Sequence, residues 1–509
     1  MVTKSTGKKA RSLMLQGTGS HVGKSILCAA LLRIMRDKGM KVAPFKAQNM
    51  ALNSAVTPDG GEIGRAQFVQ AQAAGVVPSV DMNPILLKPT GDSVSQVIIH
   101  GKVFASMGAV EYHGFKKEAA RFVMESYERL ASDYDVIVIE GAGSPAEVNL
   151  RENDIANMGV AELTDSPVVI VGDIDRGGVF ASLVGTMELL SPAERDRVKG
   201  FIINKFRGDV RLLKGGLDFL TQRTGVPVVG VVPYMTDINL PDEDGVALQG
   251  VGYTREGAVS HDLDIAVVKL PRISNFTDFD PFRHEPSVRI RFVDNAKDLA
   301  GADAVILPGT KNTIEDLLWL KSKGFDKRIK EHREAGGAVV GICGGFQMLG
   351  EKVSDPYSVE SGAGVSEGLS MLRCSTILER DKKTHSVSAI VSQGAMRIEG
   401  YEIHMGETTG IDASFSMIDR RDERKASVDD GAVSGDGLVW GTYIHGIFDN
   451  DVFRDTFLSG LRAGNSSGTG ASMRTVRPFA DMRERAMDAL ASMVKASVDI
   501  DSLLKIIGR

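Results

Sequence analysis

Apolar positions along the chain fall into short, nearly unbroken runs separated by amphipathic stretches. Ser12-Leu-Met-Leu-Gln16, Lys41-Val-Ala-Pro-Phe-Lys46, Asp135-Val-Ile-Val-Ile-Glu140, Pro167-Val-Val-Ile-Val-Gly172, Gly200-Phe-Ile-Ile-Asn-Lys-Phe-Arg207 and Pro227-Val-Val-Gly-Val-Val-Pro233 are all of strand length. Runs without polar alternation predict strands buried on both faces. Stretches between them take helical spacing, as from Ile26 to Met35, and the alternation predicts a parallel, doubly wound α/β domain. A second such pattern starts at Leu263-Asp-Ile-Ala-Val-Val268 and continues through Val288-Arg-Ile-Arg-Phe-Val293, Asp303-Ala-Val-Ile-Leu307 and Gly337-Ala-Val-Val-Gly-Ile342. The expected organisation is a basic extension over 1–11, an α/β domain over 12–244, a Gly-rich polar linker over 245–262 and a second α/β domain over 263–462. A linker over 463–477, containing Ser466-Ser-Gly-Thr-Gly470, then precedes a helical tail over 478–509, expected to dock on the body.

Composition narrows the class. At 509 residues, 43% hydrophobic and 25% charged, the chain has the balance of a soluble globular protein of two or three domains. A net charge of -6 argues against general nucleic-acid binding. Three cysteines, Cys28, Cys343 and Cys374, supply no disulfide framework and fit a reducing, cytoplasmic setting. The apolar runs are too short for a signal sequence or a membrane span.

The first strand runs into Gly17-Thr-Gly-Ser-His-Val-Gly-Lys-Ser25 and then a helix, the context a phosphate-binding loop requires. Backbone N–H groups around Thr18, Gly19 and Gly23 would cradle phosphates, Lys24 would neutralise the β/γ charge, and the Ser25 hydroxyl would reach Mg²⁺. Five residues, not the usual four, separate Gly17 from Gly23, and this variant resembles the loop of dethiobiotin synthetase and its relatives. His21 is expected on the loop surface. Glu140 arrives at the carboxyl end of a buried strand, where open α/β sheets bind ligands, and is the candidate metal ligand, with Glu62 offering a second oxygen. Asp173, Asp175 and Arg176 reach the same edge and could organise an acceptor or a metal, or only tie down a loop. Asn204 and Lys205 could read an adenine edge. Lys46 ends the second strand before a polar stretch, 47–54, suited to lining a ligand site. Met82 to Pro89 is expected as a loop bearing Lys88, and Glu62, Arg65 and Gln67 are expected to begin a helix. Taken singly, the charges of this region fit solvated surface.

In the second half, Gly341-Ile-Cys-Gly-Gly-Phe-Gln-Met-Leu-Gly350 places Cys343 at a strand-to-helix turn between small residues. Such an elbow exposes a nucleophile at a helix N-terminus, where the dipole favours thiolate. Backbone N–H groups of Gly344 and of the Pro308-Gly309-Thr310 turn, at Gly309, would form an oxyanion hole. Among nine histidines, His445 at a strand end before Gly446 is the favoured base; His404 competes with it.

The two signals, in this order, closely resemble the cobyric acid synthases. The resemblance is carried by Pro44-Phe-Lys-Ala-Gln-Asn-Met-Ala-Leu-Asn-Ser54, Glu152-Asn-Asp-Ile-Ala-Asn-Met158, Asp173-Ile-Asp-Arg-Gly-Gly-Val-Phe180, Asn204-Lys-Phe-Arg-Gly-Asp209, Tyr401-Glu-Ile-His-Met-Gly-Glu407 and Tyr443-Ile-His-Gly-Ile-Phe448. It implies an N-terminal dethiobiotin-synthetase-like phosphate-loop domain joined to a C-terminal class I glutamine amidotransferase-like domain. It implies ATP- and Mg²⁺-dependent amidation of the b, d, e and g carboxylates of adenosylcobyrinic acid a,c-diamide, in cobalamin biosynthesis, with glutamine as nitrogen donor. The family's nucleophile and histidine fall on Cys343 and His445. Ile447 stands where a class I triad usually has Glu, so what orients His445 is open. Three other readings remain: a relative amidating the a and c carboxylates, a partitioning ATPase, and an inert binding module in the second half. The partitioning ATPases carry an extra Lys where this chain has Gly19.

Overall fold

The structure is a computed structural model describing residues 10–91, 94–235, 261–360, 362–464 and 478–508. Most of the expected extension and both expected linkers lie outside the described residues. The six buried runs of the first half form one six-stranded sheet. Its spatial order is Val228–Pro233, Val198–Phe206, Val168–Asp173, Arg11–Gly17, Val136–Glu140 and Val42–Phe45, every pair parallel. Helices cover both faces, which is why these strands carry no polar alternation. Arg11–Gly17 pairs Leu15 with Glu140 on one side and Gly17 with Val171 on the other, so the glycine-rich loop leaves the sheet between two loop-bearing strand ends.

In the second half a sheet ordered Val288–Val293, Leu263–Val268, Ala304–Leu307, Ala338–Ile342, Val439–Thr442 and Ala432–Val433 is parallel except for its last pair. Two mixed, mainly antiparallel sheets were not foreseen. One joins Gln48–Met50, Ile85–Pro89, Val94–Ile99 and Lys102–Gly108, its first pair parallel and the others antiparallel. The other is built on the long hairpin of Ser375–Val391 and Arg397–Thr409. Thus the segment expected as a loop around Lys88 is a strand, and Glu62 sits on the short strand Glu62–Gly64, with the helix Arg65–Ala74 beginning just after it.

These strands knit the halves together. Lys46, Glu62, Arg65 and Lys88 are all buried, contrary to the surface expectation: Lys46 lies on Glu140, and residues of the second half meet the other three. Asn275 Oδ1 accepts the Ser54 backbone N–H at 2.9 Å, and Arg65 donates to Thr277 Oγ1 and the Tyr401 hydroxyl, both at 3.3 Å.

The tail forms two helices, Phe479–Ser497 and Ile500–Ile506, packed on the phosphate-loop helix Lys24–Asp37. Met487, Leu490, Val494 and Leu503 share a buried layer with Leu27 and Leu31. Arg33 of that helix pairs with Glu484 and Asp488, at 2.8 and 2.7 Å. Gly230 must be glycine here: a Cβ would meet the Val498 side chain at 2.7 Å.

Candidate functional site

The glycine-rich loop enters its helix through Gly23, whose φ of 99° suits glycine. The space beside it is taken by the Asn204 amide, 2.1 Å from where a Cβ would stand. Lys24 Nζ donates to the carbonyls of Gly19 at 2.8 Å and Gly143 at 3.0 Å, so it lies inside the loop's concavity. Ser25 Oγ donates to Glu140 Oε1 at 2.8 Å, Lys46 Nζ binds the same oxygen at 2.9 Å, and Gln70 Nε2 holds Oε2 at 2.6 Å. Asn204 Nδ2 donates to the Val22 carbonyl at 2.8 Å, while its buried Oδ1 has no partner among the described residues. Gln16 Oε1 and Asn157 Oδ1 are likewise buried without partners among the described residues, and both side chains crowd Gly141 just past Glu140.

The hard oxygens of Ser25 and Glu140 suit Mg²⁺. Among the described residues no group of three His, Cys, Asp or Glu could hold a metal, so phosphate oxygens and water would complete the shell. Glu62 does not join this pair. Its Oε1 accepts from Lys88 Nζ at 2.7 Å and from Ser54 Oγ at 2.8 Å, and its Oε2 binds Lys382 of the second half. Burial alone would raise its pKa, but the two ammonium groups reverse that and hold it well below the carboxylate range. Among the acceptor candidates, Lys46 lies on Glu140, whereas Asp173 and Asp175 are tied to Lys205 and Arg207, each at 2.8 Å. Arg176 is largely exposed, 3.9 Å from Asp173.

In the second half, Ala338–Ile342 turns at Cys343 into the helix Gly344–Leu349. Cys343 has φ 51° and ψ -109°, a conformation rare for a side-chain-bearing residue and held by its surroundings. Gly345 is required by close packing, since a Cβ would come within 1.9 Å of the Leu307 carbonyl. The Pro308-Gly309-Thr310 turn runs alongside. Thr310 N lies 3.2 Å from the Cβ position of Gly344, whereas that of Gly309 faces His445 Cε1 at 3.1 Å. The turn that carries the N–H groups of Gly309 and Thr310 thus packs against both Gly344 and His445.

His445 reaches Cys343 across this cavity and is almost wholly buried. Its Nδ1–H donates to Asp278 Oδ2 at 2.7 Å, and Asp278 Oδ1 accepts the Gly446 N–H at 3.0 Å. Burial alone would lower the His445 pKa; the Asp278 carboxylate, and after it the Cys343 sulfur, overcome this and raise it to about 10. Tyr401 stacks on the ring at 5.3 Å, and Arg65 of the first half lies over Tyr401 at 5.5 Å. His404 has both nitrogens engaged, by the Gly406 carbonyl at 2.8 Å and Glu402 at 3.4 Å, and burial lowers its pKa. The structure thus joins Cys343 to His445 and supplies the orienting carboxylate that the sequence reading lacked. One sequence signal pointed to Asp278: an acid set among Phe276, Phe279 and Phe282, all buried, must find a partner.

Residues 13–247 match the family described as the CobQ/CobB/MinD/ParA nucleotide binding domain. Residues 264–453 match the CobB/CobQ-like glutamine amidotransferase domain. Over 510 residues the chain is 50% identical to a protein of Moorella thermoacetica called cobyric acid synthase, covering 98% of each. It is 49% identical over 505 residues to the Salmonella typhimurium protein of the same name, covering 97% of this chain and 98% of that one. No helix among the described residues is long and apolar enough to cross a membrane.

Proposed function

Since the chain belongs to the cobyric acid synthases, glutamine amidotransferase ligases of cobalamin biosynthesis, we propose that it converts the b, d, e and g carboxylates of adenosylcobyrinic acid a,c-diamide to amides. The observation that carries this reading is a buried Cys343–His445–Asp278 array whose cavity wall includes Lys88 of the ATP-binding half. Ammonia released there meets the amidating half without crossing bulk solvent.

The Cys343 thiolate attacks the side-chain amide carbon of glutamine. Backbone N–H groups of Gly344 and of the turn at Gly309 receive the oxyanion, and the His445 imidazolium protonates the departing nitrogen. Neutral His445 then takes a proton from water, which cleaves the thioester to glutamate and returns the thiol. In the other half, a corrinoid carboxylate attacks the γ-phosphorus of ATP, displacing ADP and forming an acyl phosphate. Lys24 stabilises the charge on the transferring group, and the backbone of Thr18, Gly19 and Gly23 holds the phosphates. The open Asn204 Oδ1 accepts from the adenine amino group. Mg²⁺, held by Ser25 and Glu140, would neutralise phosphate charge. Lys46, hydrogen-bonded to Glu140, receives the incoming carboxylate. Ammonia attacks the acyl carbon, and inorganic phosphate leaves.

Mass spectrometry of the diamide incubated with MgATP and amide-labelled glutamine tests the reading. Four successive labelled additions are expected. No addition, or addition only to cobyrinic acid lacking the a and c amides, refutes it.

A further inference from the structure

The cavity at Cys343 holds more charge than sulfur chemistry needs. Three lysines line it: Lys88, Lys382 and Lys311. Lys88 and Lys382 are accounted for, each bound to one oxygen of Glu62. Lys311 differs from both. It is 6% exposed, and its ammonium forms no side-chain hydrogen bond or ion pair among the described residues. A buried cation without a partner is costly, and one facing a cavity beside a nucleophile is placed for an anion. Burial lowers the Lys311 pKa, while the charges of Glu360, Glu62 and Cys343 raise it, so all three lie within electrostatic reach. Glu360 lines the same cavity. One of its oxygens accepts the Thr313 N–H at 2.8 Å, and no cation pairs with it among the described residues.

Glutamine carries one anion and one cation on its α-carbon, two methylenes from the amide that Cys343 attacks. We propose that Lys311 binds the α-carboxylate of glutamine and Glu360 its α-ammonium, so that the site selects the zwitterion as well as the amide. The pairing puts an opposite charge on each unpaired group and fixes the amide against the thiolate. It rests on glutamine being the nitrogen donor. Lys311 is a substrate-positioning residue that follows the Gly309–Thr310 turn by one position, so its side chain and the oxyanion-binding backbone move as one unit.

The test compares kcat/KM for side-chain amide hydrolysis of three substrates. These are glutamine, glutaminamide (α-carboxamide) and 4-carbamoylbutanoate (no α-amine), each followed by product mass. The wild-type enzyme should prefer glutamine to either analogue by about 100-fold, the scale for a buried charged group left unpaired. Lys311→Met should lower glutamine use by about 100-fold, mainly through KM, and glutaminamide use by less than about threefold. Lys311→Arg should restore most of the preference. Glu360→Gln should remove the discrimination against 4-carbamoylbutanoate while keeping that against glutaminamide. Equal losses on all substrates in Lys311→Met, or a wild-type enzyme indifferent to the α-carboxylate, would overturn the proposal. Failure of the wild-type enzyme to hydrolyse glutamine at all would instead strike the parent reading.

Discussion

Asp278→Asn is the most discriminating single change. The Gly446 N–H donates to Asp278 Oδ1, and His445 Nδ1–H to Oδ2. Both contacts are buried, and a flipped amide would set its NH₂ against the Gly446 N–H, so the asparagine oxygen stays on that N–H. The new NH₂ then faces Nδ1 and donates to it. Nδ1 becomes an acceptor, the ring proton moves to Nε2, and the ring can no longer take the Cys343 proton. The charge that raises the His445 pKa to about 10 is lost as well. A wrong tautomer of this kind costs a hydrolytic triad about 10⁴-fold, so a loss of about 10³- to 10⁴-fold, or about 4–5.5 kcal/mol, is expected in glutamine-supported turnover. The assay is amide formation on the corrinoid, run once with glutamine and once with saturating ammonium salt. Ammonium bypasses Asp278, so that rate should stay within about threefold of wild type. A glutamine rate within about tenfold of wild type, or equal loss with both donors, would refute the reasoning.

Cys343→Ala should abolish glutamate release yet leave ammonium-supported amidation, and glutamate release by the variant would remove Cys343 from its role. Lys24→Met should cut amide formation with either donor by about 100-fold or more while glutamate release continues, read by product mass and glutamate assay. His445 has a folded pKa raised above its ordinary 6.5. Its stabilising contribution is therefore full below about pH 6.5 and lost as pH rises through about 10. Urea midpoints should accordingly fall more steeply toward alkaline pH in the wild type than in His445→Gln, and parallel curves would refute this. Leu503→Ala, at a position 0% exposed, should cost about 2–5 kcal/mol in urea unfolding.

The parallel strands were legible because burial on both faces leaves an unbroken apolar run, as in Val136–Glu140. The glycine-rich loop and the Cys343 elbow were legible because backbone demands are written in consecutive residues. What escaped notice depends on contacts between distant segments. Asp278 and His445 are 167 positions apart, and only the fold pairs them. Glu62 looked like a metal ligand because its sequence neighbours belong to the ATP half; Lys382, 320 positions away, claims its second oxygen. The Lys88 strand has the signature of a loop because its Ile-Leu-Leu-Lys run lies between Pro84 and Pro89 and carries a charge, which the fold buries.

The helices that wall the phosphate-loop helix leave the ribosome after the whole sulfur-bearing half. Residues 234–478 intervene between the last described strand of the ATP half and those helices. At about 5–20 residues per second, the flank of Leu27 and Leu31 waits roughly 12–50 s for its cover. Until then that apolar flank lacks the partner that the finished fold gives it. The last contacts of the first half therefore form only after the second half has been made.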